Sequence, residues 1–383
     1  MAGVAVPAAL GVAAARVGER VRTARTRRLE PDTPLVWSDP ATEALVVTTS
    51  DGVDLHVEID APAAAARGRR HLAGRTPTAV LVHGFALTMQ SWVLQRRELV
   101  AQGFRVVSYD QRGHGRSGRP DLATCTIDRL GRDLAQVLEA TCPSGPVVLF
   151  GHSMGGMSVM AFCGQNPELV RERVLAVALV STSAGGHEVT ELGLGSLVGR
   201  IVGTVGPGVL TRLSRHAGPI GLVRRMGKGV QDLVVARWGF GSPVGPATVD
   251  LVAEMIFGTS FDVMAAFLPD IDALDLVPSL GPLLGVETLV MNGARDLITP
   301  ASHSEEIVRH VPGAEHVVVE EAGHIIMLEH PELVSQQLLM LVQRAQRGVA
   351  EGVPAGSKPR VRARVQDISK KRRSARRRRG AAS

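Results

Sequence analysis

Three side chains in this sequence have the types and the order for nucleophilic catalysis: Ser153, Asp296 and His324. Ser153 is the centre of Gly151-His152-Ser153-Met154-Gly155. The apolar run Val147-Val148-Leu149-Phe150 precedes it, and the helix-compatible run Met157 to Cys163 follows. Gly-x-Ser-x-Gly between a strand and a helix places the serine at the apex of a strained turn, with its hydroxyl pointing out of the sheet. The flanking glycines are needed because larger side chains would collide with the neighbouring strand and helix. A serine hydroxyl is a poor nucleophile until a histidine takes its proton, and the imidazole must in turn be oriented by a carboxylate. On a sheet with such an elbow the chain order is Ser, then Asp or Glu, then His.

The elements around the other two residues suit these roles. Asp296 follows the strand-like run Glu287-Thr288-Leu289-Val290-Met291-Asn292 through Gly293-Ala294-Arg295. His324 follows the strand-like run His316-Val317-Val318-Val319 and precedes a helix signal. Upstream, the apolar strand Ala79 to Val82 ends in His83-Gly84-Phe85, where a first oxyanion donor is expected. The backbone N–H groups of Phe85 and Met154 would then hold the negative oxygen of a tetrahedral intermediate. Losing one such donor typically costs ~2.7–4 kcal/mol. Asp270, Asp272 and Asp275 are rival triad acids, but they precede the strand instead of following it. No His and carboxylate grouping has metal-ligand spacing, and Gly113-x-Gly115 is not a dinucleotide fingerprint. No metal and no cofactor are expected. Cys125, Cys142 and Cys163 form an odd set with no Cys-x-x-Cys, which suggests neither a zinc site nor a disulfide framework.

Strand and helix signals alternate along the chain, the pattern of an α/β sheet covered on both faces. An antiparallel pair, Ala44 to Thr49 and Val53 to Asp60, opens it, and residues 62–76 read as a loop. The stretch from Ala184 to Leu280 is too long for a structureless loop. Its segments Leu192 to Val205, Val209 to Leu222 and Thr248 to Phe267 have helical spacing of apolar residues.

These motifs carry a resemblance. The chain resembles the α/β-hydrolase superfamily, in particular its capped esterase, lipase and non-haem-haloperoxidase-like branch. The matching motifs are His83-Gly84-Phe85, Tyr109-Asp110-Gln111-Arg112-Gly113-His114-Gly115-Arg116-Ser117, Gly151 to Gly156, Gly293-Ala294-Arg295-Asp296 and Ala322-Gly323-His324. The likeness runs from about Ala44 to about Gln346, and the Ala- and Arg-rich ends look like those of actinobacterial members. It implies the α/β-hydrolase fold: a mostly parallel central sheet with helices on both faces and a helical cap inserted after the sixth strand. The implied division is a flexible basic segment 1–40, a core in two parts (41–183 and 281–347), a cap over 184–280 and a disordered basic tail 348–383. It also implies that His83 and His152 are structural, and that His114 ties down its glycine-rich loop. Epoxide hydrolases and haloalkane dehalogenases of this fold carry aspartate at the apex. A serine there implies an acyl-enzyme formed on a carbonyl substrate.

The expected activity is hydrolysis of carboxylic esters of small to medium acyl groups. The alternatives on the same triad are perhydrolase or haloperoxidase-like activity, acyl transfer, and thioester or C–C bond hydrolysis. An alternative of another class is a non-catalytic scaffold whose basic tail binds membrane or nucleic acid. Hydrophobic residues make up 45% of the chain, ample for a buried core, and the aromatic share of 3% argues against a base-stacking platform.

Charge is uneven within a formal net +6. Residues 357–383 hold twelve Lys and Arg against Asp367 alone, and residues 16–30 hold six Arg against two Glu. The body between them is therefore acidic. The run Lys370 to Arg379 reads first as a solvated, disordered tail; as a binding surface, basic ends of this kind favour an anionic membrane over nucleic acid. The first fifteen residues are too short and too weakly apolar for a membrane span. A cytoplasmic setting is the expectation, with peripheral attachment at a membrane as the option that the basic ends add; the oligomeric state is left open.

Overall fold

The computed structural model describes residues 40–62, 76–185, 228–352 and 361–367. Its strands are β1 (Glu43–Thr48), β2 (Asp54–Asp60), β3 (Thr78–Val82), β4 (Val106–Tyr109), β5 (Val147–His152), β6 (Val174–Val180), β7 (Glu287–Gly293), β8 (Glu315–Val319) and β9 (Val361–Val365). They form one sheet in the order β1-β2-β4-β3-β5-β6-β7-β8-β9. The pairs β1–β2 and β2–β4 are antiparallel, and every other pair is parallel. The helices are α1 (Val93–Ala101), α2 (Ile127–Thr141), α3 (Met154–Gln165), α4 (Pro167–Arg173), α5 (Lys228–Gly239), α6 (Pro246–Gly258), α7 (Phe261–Asp272), α8 (Ala301–His310), α9 (Ile326–Glu329) and α10 (Pro331–Glu351).

Successive strand residues point to opposite faces, and each face meets its own core. Val80, Val82, Val147 and Leu149 face one cluster, together with α2 and α3. Ala79, Leu81, Val148 and Phe150 face the other, with Trp92, Leu99 and the α10 residues Val334, Leu338, Leu341 and Val342. Burial on both faces is why the central strands read as continuous apolar runs instead of alternating ones. The covering helices are amphipathic. On α2, Ile127, Leu130, Leu134, Val137 and Leu138 are buried at helical spacing, and the Thr126 side chain caps its start by accepting the Arg129 N–H at 3.2 Å.

The opening antiparallel pair forms as the sequence indicates, with Glu43 opposite Ile59 and Thr48 opposite Asp54. Two expectations need correction. The single helical segment Thr248 to Phe267 is two helices, α6 and α7, bent by 88°. Gly258, Thr259 and Ser260 break it: Thr259 and Ser260 are extended, and the Thr259 hydroxyl turns back onto the Met255 carbonyl at 3.1 Å. The stretch 348–383 is also not wholly a solvated tail. Helix α10 continues to Glu351, and residues 361–365 add a ninth strand in parallel register with β8. Val361, Ala363 and Val365 alternate with Arg362 and Arg364, a period-two pattern hidden by the charge of the run. The segments 1–39, Leu192 to Val205, Val209 to Leu222 and Lys370 to Arg379 lie outside the described residues.

The chain leaves β6 at Val180 and re-enters the sheet at β7 only at Glu287, with α5, α6 and α7 in between. Among the described residues no single helix is long and apolar enough to cross a membrane. The segments after β3, β5, β7 and β8 all emerge at the carboxyl ends of parallel strands, where open α/β sheets leave a crevice.

Candidate active site

The turn after β5 holds Ser153 at φ 52°, ψ −121°, a left-handed conformation costly for a residue with a side chain. The backbone around it is over-determined. The Ser153 N–H donates to the Val180 carbonyl at 2.9 Å, and its carbonyl accepts from the Gly156 N–H at 2.8 Å and the Thr182 hydroxyl at 2.7 Å. Close approach fixes both flanking glycines. A Cβ on Gly155 would lie 2.3 Å from the Val82 carbonyl oxygen, and one on Gly151 would lie 2.5 Å from that of Gly155.

Ser153, His324 and Asp296, 171 and 28 residues apart in sequence, meet in one line. His324 Nε2 is 3.0 Å from Ser153 Oγ, and His324 Nδ1 is 2.9 Å from Asp296 Oδ2. With Nδ1–H donated to the carboxylate, Nε2 is free to accept the serine proton. Burial pushes the Asp296 pKa up, but the His324 imidazole and hydrogen bonds from His324, Thr299 and Ile298 more than offset this, and the net shift is downward. The Ile298 and Thr299 N–H groups donate to Oδ1 at 2.8 and 2.9 Å, and the Thr299 hydroxyl donates to Oδ2 at 2.9 Å. The rival acids lie elsewhere. Asp270 accepts the Ile127 N–H at the start of α2, at 2.6 Å, and Asp272 and Asp275 are exposed.

Phe85 and Met154 occupy the turn after β3 and the first residue of α3. Among the described residues neither N–H donates to a protein acceptor; for Met154 this follows from its place in the first helical turn. The next residue, Ala86, has φ 56°, and its N–H donates to His114 Nε2 at 3.1 Å. The Gln111 side chain donates to the His83 carbonyl at 2.7 Å and accepts from the Ser158 hydroxyl of α3 at 2.7 Å. The β3 turn is thereby tied to α3.

Three histidines form the floor of the site. Burial depresses His83 to about 4. Burial, with like-charge neighbours second, depresses His114 and His152 to about 3. Each is neutral at physiological pH and bonded to backbone: His83 to the Gly84 carbonyl (2.8 Å) and Gln111 N–H (2.8 Å), His114 to the Arg112 carbonyl (2.9 Å), and His152 to the His324 carbonyl (3.0 Å). His152 thus holds the very loop that carries His324. The cysteines are buried and unpaired, and burial raises the Cys163 thiol to about 12 and Cys125 to about 11, far from thiolate chemistry. Among the described residues no group of three or more His, Cys, Asp or Glu is arranged to hold a metal ion.

Sequence reasoning missed several supporting residues. Thr299 sits three positions after Asp296, a spacing that an Asx-type turn would have flagged. Thr182 and Glu329 carried no local signal. The Glu329 carboxylate accepts from the Gly323 N–H at 2.7 Å, the Gly241 N–H at 3.1 Å, the Ser242 hydroxyl at 2.5 Å and the Ser242 N–H. It joins the loop before His324 to the segment after α5. The inserted helices touch the other loops too. The Thr259 hydroxyl lies 3.4 Å from the Ala86 carbonyl, and the Phe267 ring is centred 5.9 Å from that of His114.

A sequence model of the alpha/beta hydrolase family matches residues 79–337. The chain is 29% identical over 273 residues to a dihydrolipoyllysine-residue acetyltransferase component of an acetoin cleaving system from Pseudomonas putida, covering 71% of this chain and 64% of that relative. The chain therefore spans under two thirds of that relative's length. It is 26% identical over 267 residues to a non-heme haloperoxidase from Rhodococcus erythropolis, covering 68% of this chain and 90% of the relative. Among solved structures, a thermophilic esterase from Thermogutta terrifontis superposes with a TM-score of 0.57 at 25% identity, over 80% of this chain and all of the esterase. The chain belongs to the alpha/beta hydrolase family and has its fold.

Proposed function

We propose that this member of the alpha/beta hydrolase family is a serine hydrolase cleaving carboxylic esters of small to medium acyl groups. The observation that carries the reading is the Asp296–His324–Ser153 line, with a serine in a strained elbow and an ionised carboxylate behind the imidazole. In this mechanism His324 Nε2 takes the Ser153 proton as Oγ attacks the ester carbonyl. The Phe85 and Met154 N–H groups hold the resulting oxyanion. His324 then protonates the leaving alcohol, and afterwards deprotonates the water that releases the acid. Asp296 keeps the imidazole in the tautomer that leaves Nε2 as acceptor.

The helices inserted after β6 act in this reading as a cap, and the aliphatic side chains of α5, α6 and α7 as the roof of the acyl pocket. The basic ends act as a tether to an anionic membrane surface. The haloperoxidase relative supports a second reading, in which peroxide replaces water on the same acyl-enzyme. The acetyltransferase relative supports a third, in which another nucleophile accepts the acyl group.

A fluorophosphonate probe tests the proposal. Wild-type protein should be labelled and Ser153→Ala should not; no labelling of the wild type would leave a scaffold as the better account. A series of p-nitrophenyl esters tests the roof. kcat/KM should rise from acetyl to hexanoyl, each buried CH₂ contributing up to ~0.8 kcal/mol. A preference for acetyl would mean a small, closed pocket. Acid release with water alone, against turnover only with peroxide or an added acyl acceptor, separates the three chemistries.

A further inference from the structure

Strand β9 lies in the run that the sequence presents as a solvated basic tail. It pairs along the whole length of β8, from Glu315 opposite Val361 to Val319 opposite Val365, and the Glu320 N–H donates to the Val365 carbonyl at 3.0 Å. The ion pairs Arg362–Glu305 (2.6 Å) and Arg364–Glu320 (3.3 Å) flank it. Strand β8 is the strand whose exit carries His324. Two residues beyond β9, Asp367 is 4% exposed, although it stands at the edge of a strongly basic run. A carboxylate is not buried without a partner. Its partner is His330, itself 0% exposed, with Nδ1 3.0 Å from Asp367 Oδ2.

His330 stands at the start of α10 and directly after Glu329. Its N–H closes the turn of α9 by donating to the Ile326 carbonyl at 2.8 Å, and its Nε2 lies 3.7 Å from Glu329 Oε1. Glu329 is the carboxylate that holds the Gly323 N–H, one residue before His324, and the Gly241–Ser242 segment after α5. Buried polar groups therefore run from Asp367 to the His324 loop, hydrogen-bonded at Asp367–His330 and at Glu329–Gly323. They are joined in the middle by the chain neighbours His330 and Glu329, whose Nε2 and Oε1 stand 3.7 Å apart, beyond a hydrogen bond.

We infer that Asp367 is a positioning residue for His324, acting through His330 and Glu329, and that the C-terminal segment 361–367 is a working part of the active site. The inference rests on the serine-hydrolase reading for its kinetic consequence. Asp367 touches no reacting atom. It fixes the His330 ring and the start of α10, and these fix the carboxylate that anchors the loop in front of His324. A displacement of the general base by about 1 Å can cost as much as ~10²-fold in rate. Loss of Asp367 should therefore appear in kcat, because His324 acts in the chemical step, while substrate binding is left alone.

The test uses full-length Asp367→Ala and Asp367→Asn beside a chain ending after Asp367, which lacks only residues 368–383. Asn offers a carbonyl oxygen to the His330 Nδ1–H; Ala offers nothing. On a soluble activated ester, Asp367→Ala should lower kcat by about tenfold or more with KM within about twofold. Fluorophosphonate labelling of Ser153 should slow in step. Asp367→Asn should recover much of the loss, and the chain ending after Asp367 should match the full-length protein. Backbone amide exchange over residues 320–326 should quicken in Asp367→Ala. Wild-type kcat in folded Asp367→Ala would overturn the inference. So would a loss that tracks only the unfolded fraction seen by circular dichroism, or an unchanged exchange rate over 320–326. Should the wild type neither hydrolyse esters nor react with the probe, the serine-hydrolase reading fails, and the exchange measurement alone decides whether Asp367 positions the loop.

Discussion

Two buried polar clusters in this protein have opposite designs. The first is Asp296–His324–Ser153. The second surrounds Arg112, whose side chain is fully buried between Asp133 (Nε–Oδ2 2.6 Å) and Asp51 (Nη1–Oδ2 2.9 Å), with the Thr124 hydroxyl at 2.7 Å and Arg129 bridging the same two carboxylates. Burial alone would push the Arg112 pKa down, but the two carboxylates more than reverse it, and the guanidinium is permanently charged. Asp51, hydrogen-bonded by Arg112, is held well below the usual carboxylate range. Every hydrogen-bonding direction of that fork is used, and no proton can move. In the Asp296–His324–Ser153 line the middle group is an imidazole, with Nδ1 held by a carboxylate and Nε2 facing a hydroxyl, and the serine backbone is strained. Both clusters are buried and both come from residues distant in sequence. On the proposed serine-hydrolase reading, what separates machinery from scaffold is an imidazole whose outer nitrogen faces a reactive hydroxyl, not burial or charge as such.

The largest effects expected from this contrast are kinetic. Ser153→Ala and His324→Ala should each lower kcat for an activated ester by about 10⁴-fold or more, and Asp296→Asn by about 10⁴-fold, with the thermal midpoint nearly unchanged. Asp296→Asn is the sharpest of the three, because near-normal kcat there would return the role to Asp270, Asp272 or Asp275.

The Arg112 cluster should respond in the opposite currency. Arg112→Met leaves the Asp133 carboxylate buried beside only Arg129, and such a break costs about 3–5 kcal/mol of stability. Urea titration should show that loss, while kcat per folded molecule stays near wild type. A large fall in kcat with normal stability would mean that the two clusters are not separable.

The histidines under the site make a pH prediction that the Arg112 cluster does not share. His83, His114, His152 and His303 are depressed to about 3–4, each first by burial. Between about pH 6.5 and pH 4 the unfolded chain binds protons at these positions and the folded chain does not, so stability must fall as pH falls through that window. The denaturation midpoint should drop from pH 7 to pH 4.5, and the slope should be shallower in His114→Asn. An equally steep slope in the variant would remove His114 from the account.

The smallest effect belongs to Thr299. Thr299→Val removes a hydroxyl bond to Asp296 while the two N–H groups on Oδ1 remain. A single such bond is worth about 1 kcal/mol, so kcat should fall only by about three- to tenfold. A loss approaching that of Asp296→Asn would show that the hydroxyl, not the carboxylate, sets the imidazole tautomer.

Much of the molecule was legible in the chain because the signals were local. Strand β6 reads directly as the apolar run Val174–Val180, since burial on both faces leaves no room for polar residues. Ser153 was legible because its elbow admits only Gly at Gly151 and Gly155, and Asp296 and His324 because each follows a buried strand in the required order. The break between α6 and α7 was missed because an apolar stripe continues across Gly258-Thr259-Ser260, and periodicity alone does not register a change of axis. Strand β9 was missed because its period-two pattern is embedded in a basic run, and a strand at a sheet edge tolerates outward-facing arginines that a central strand does not.

By itself the sequence determined which residues could react, the order in which they enter the sheet and the strands that carry them, because short-range sterics and burial write those features into neighbouring residues. Tertiary structure supplied the distance that the chain order only favoured, with Asp296 2.9 Å behind His324 and Asp270, Asp272 and Asp275 elsewhere. It alone decided that Thr182 and Glu329 brace the site, and that Asp367, inside an apparently solvated tail, is buried against His330. These are contacts between residues 6 to 88 positions apart whose partners are chosen by where the loops converge. No local pattern encodes a convergence that only the assembled sheet creates.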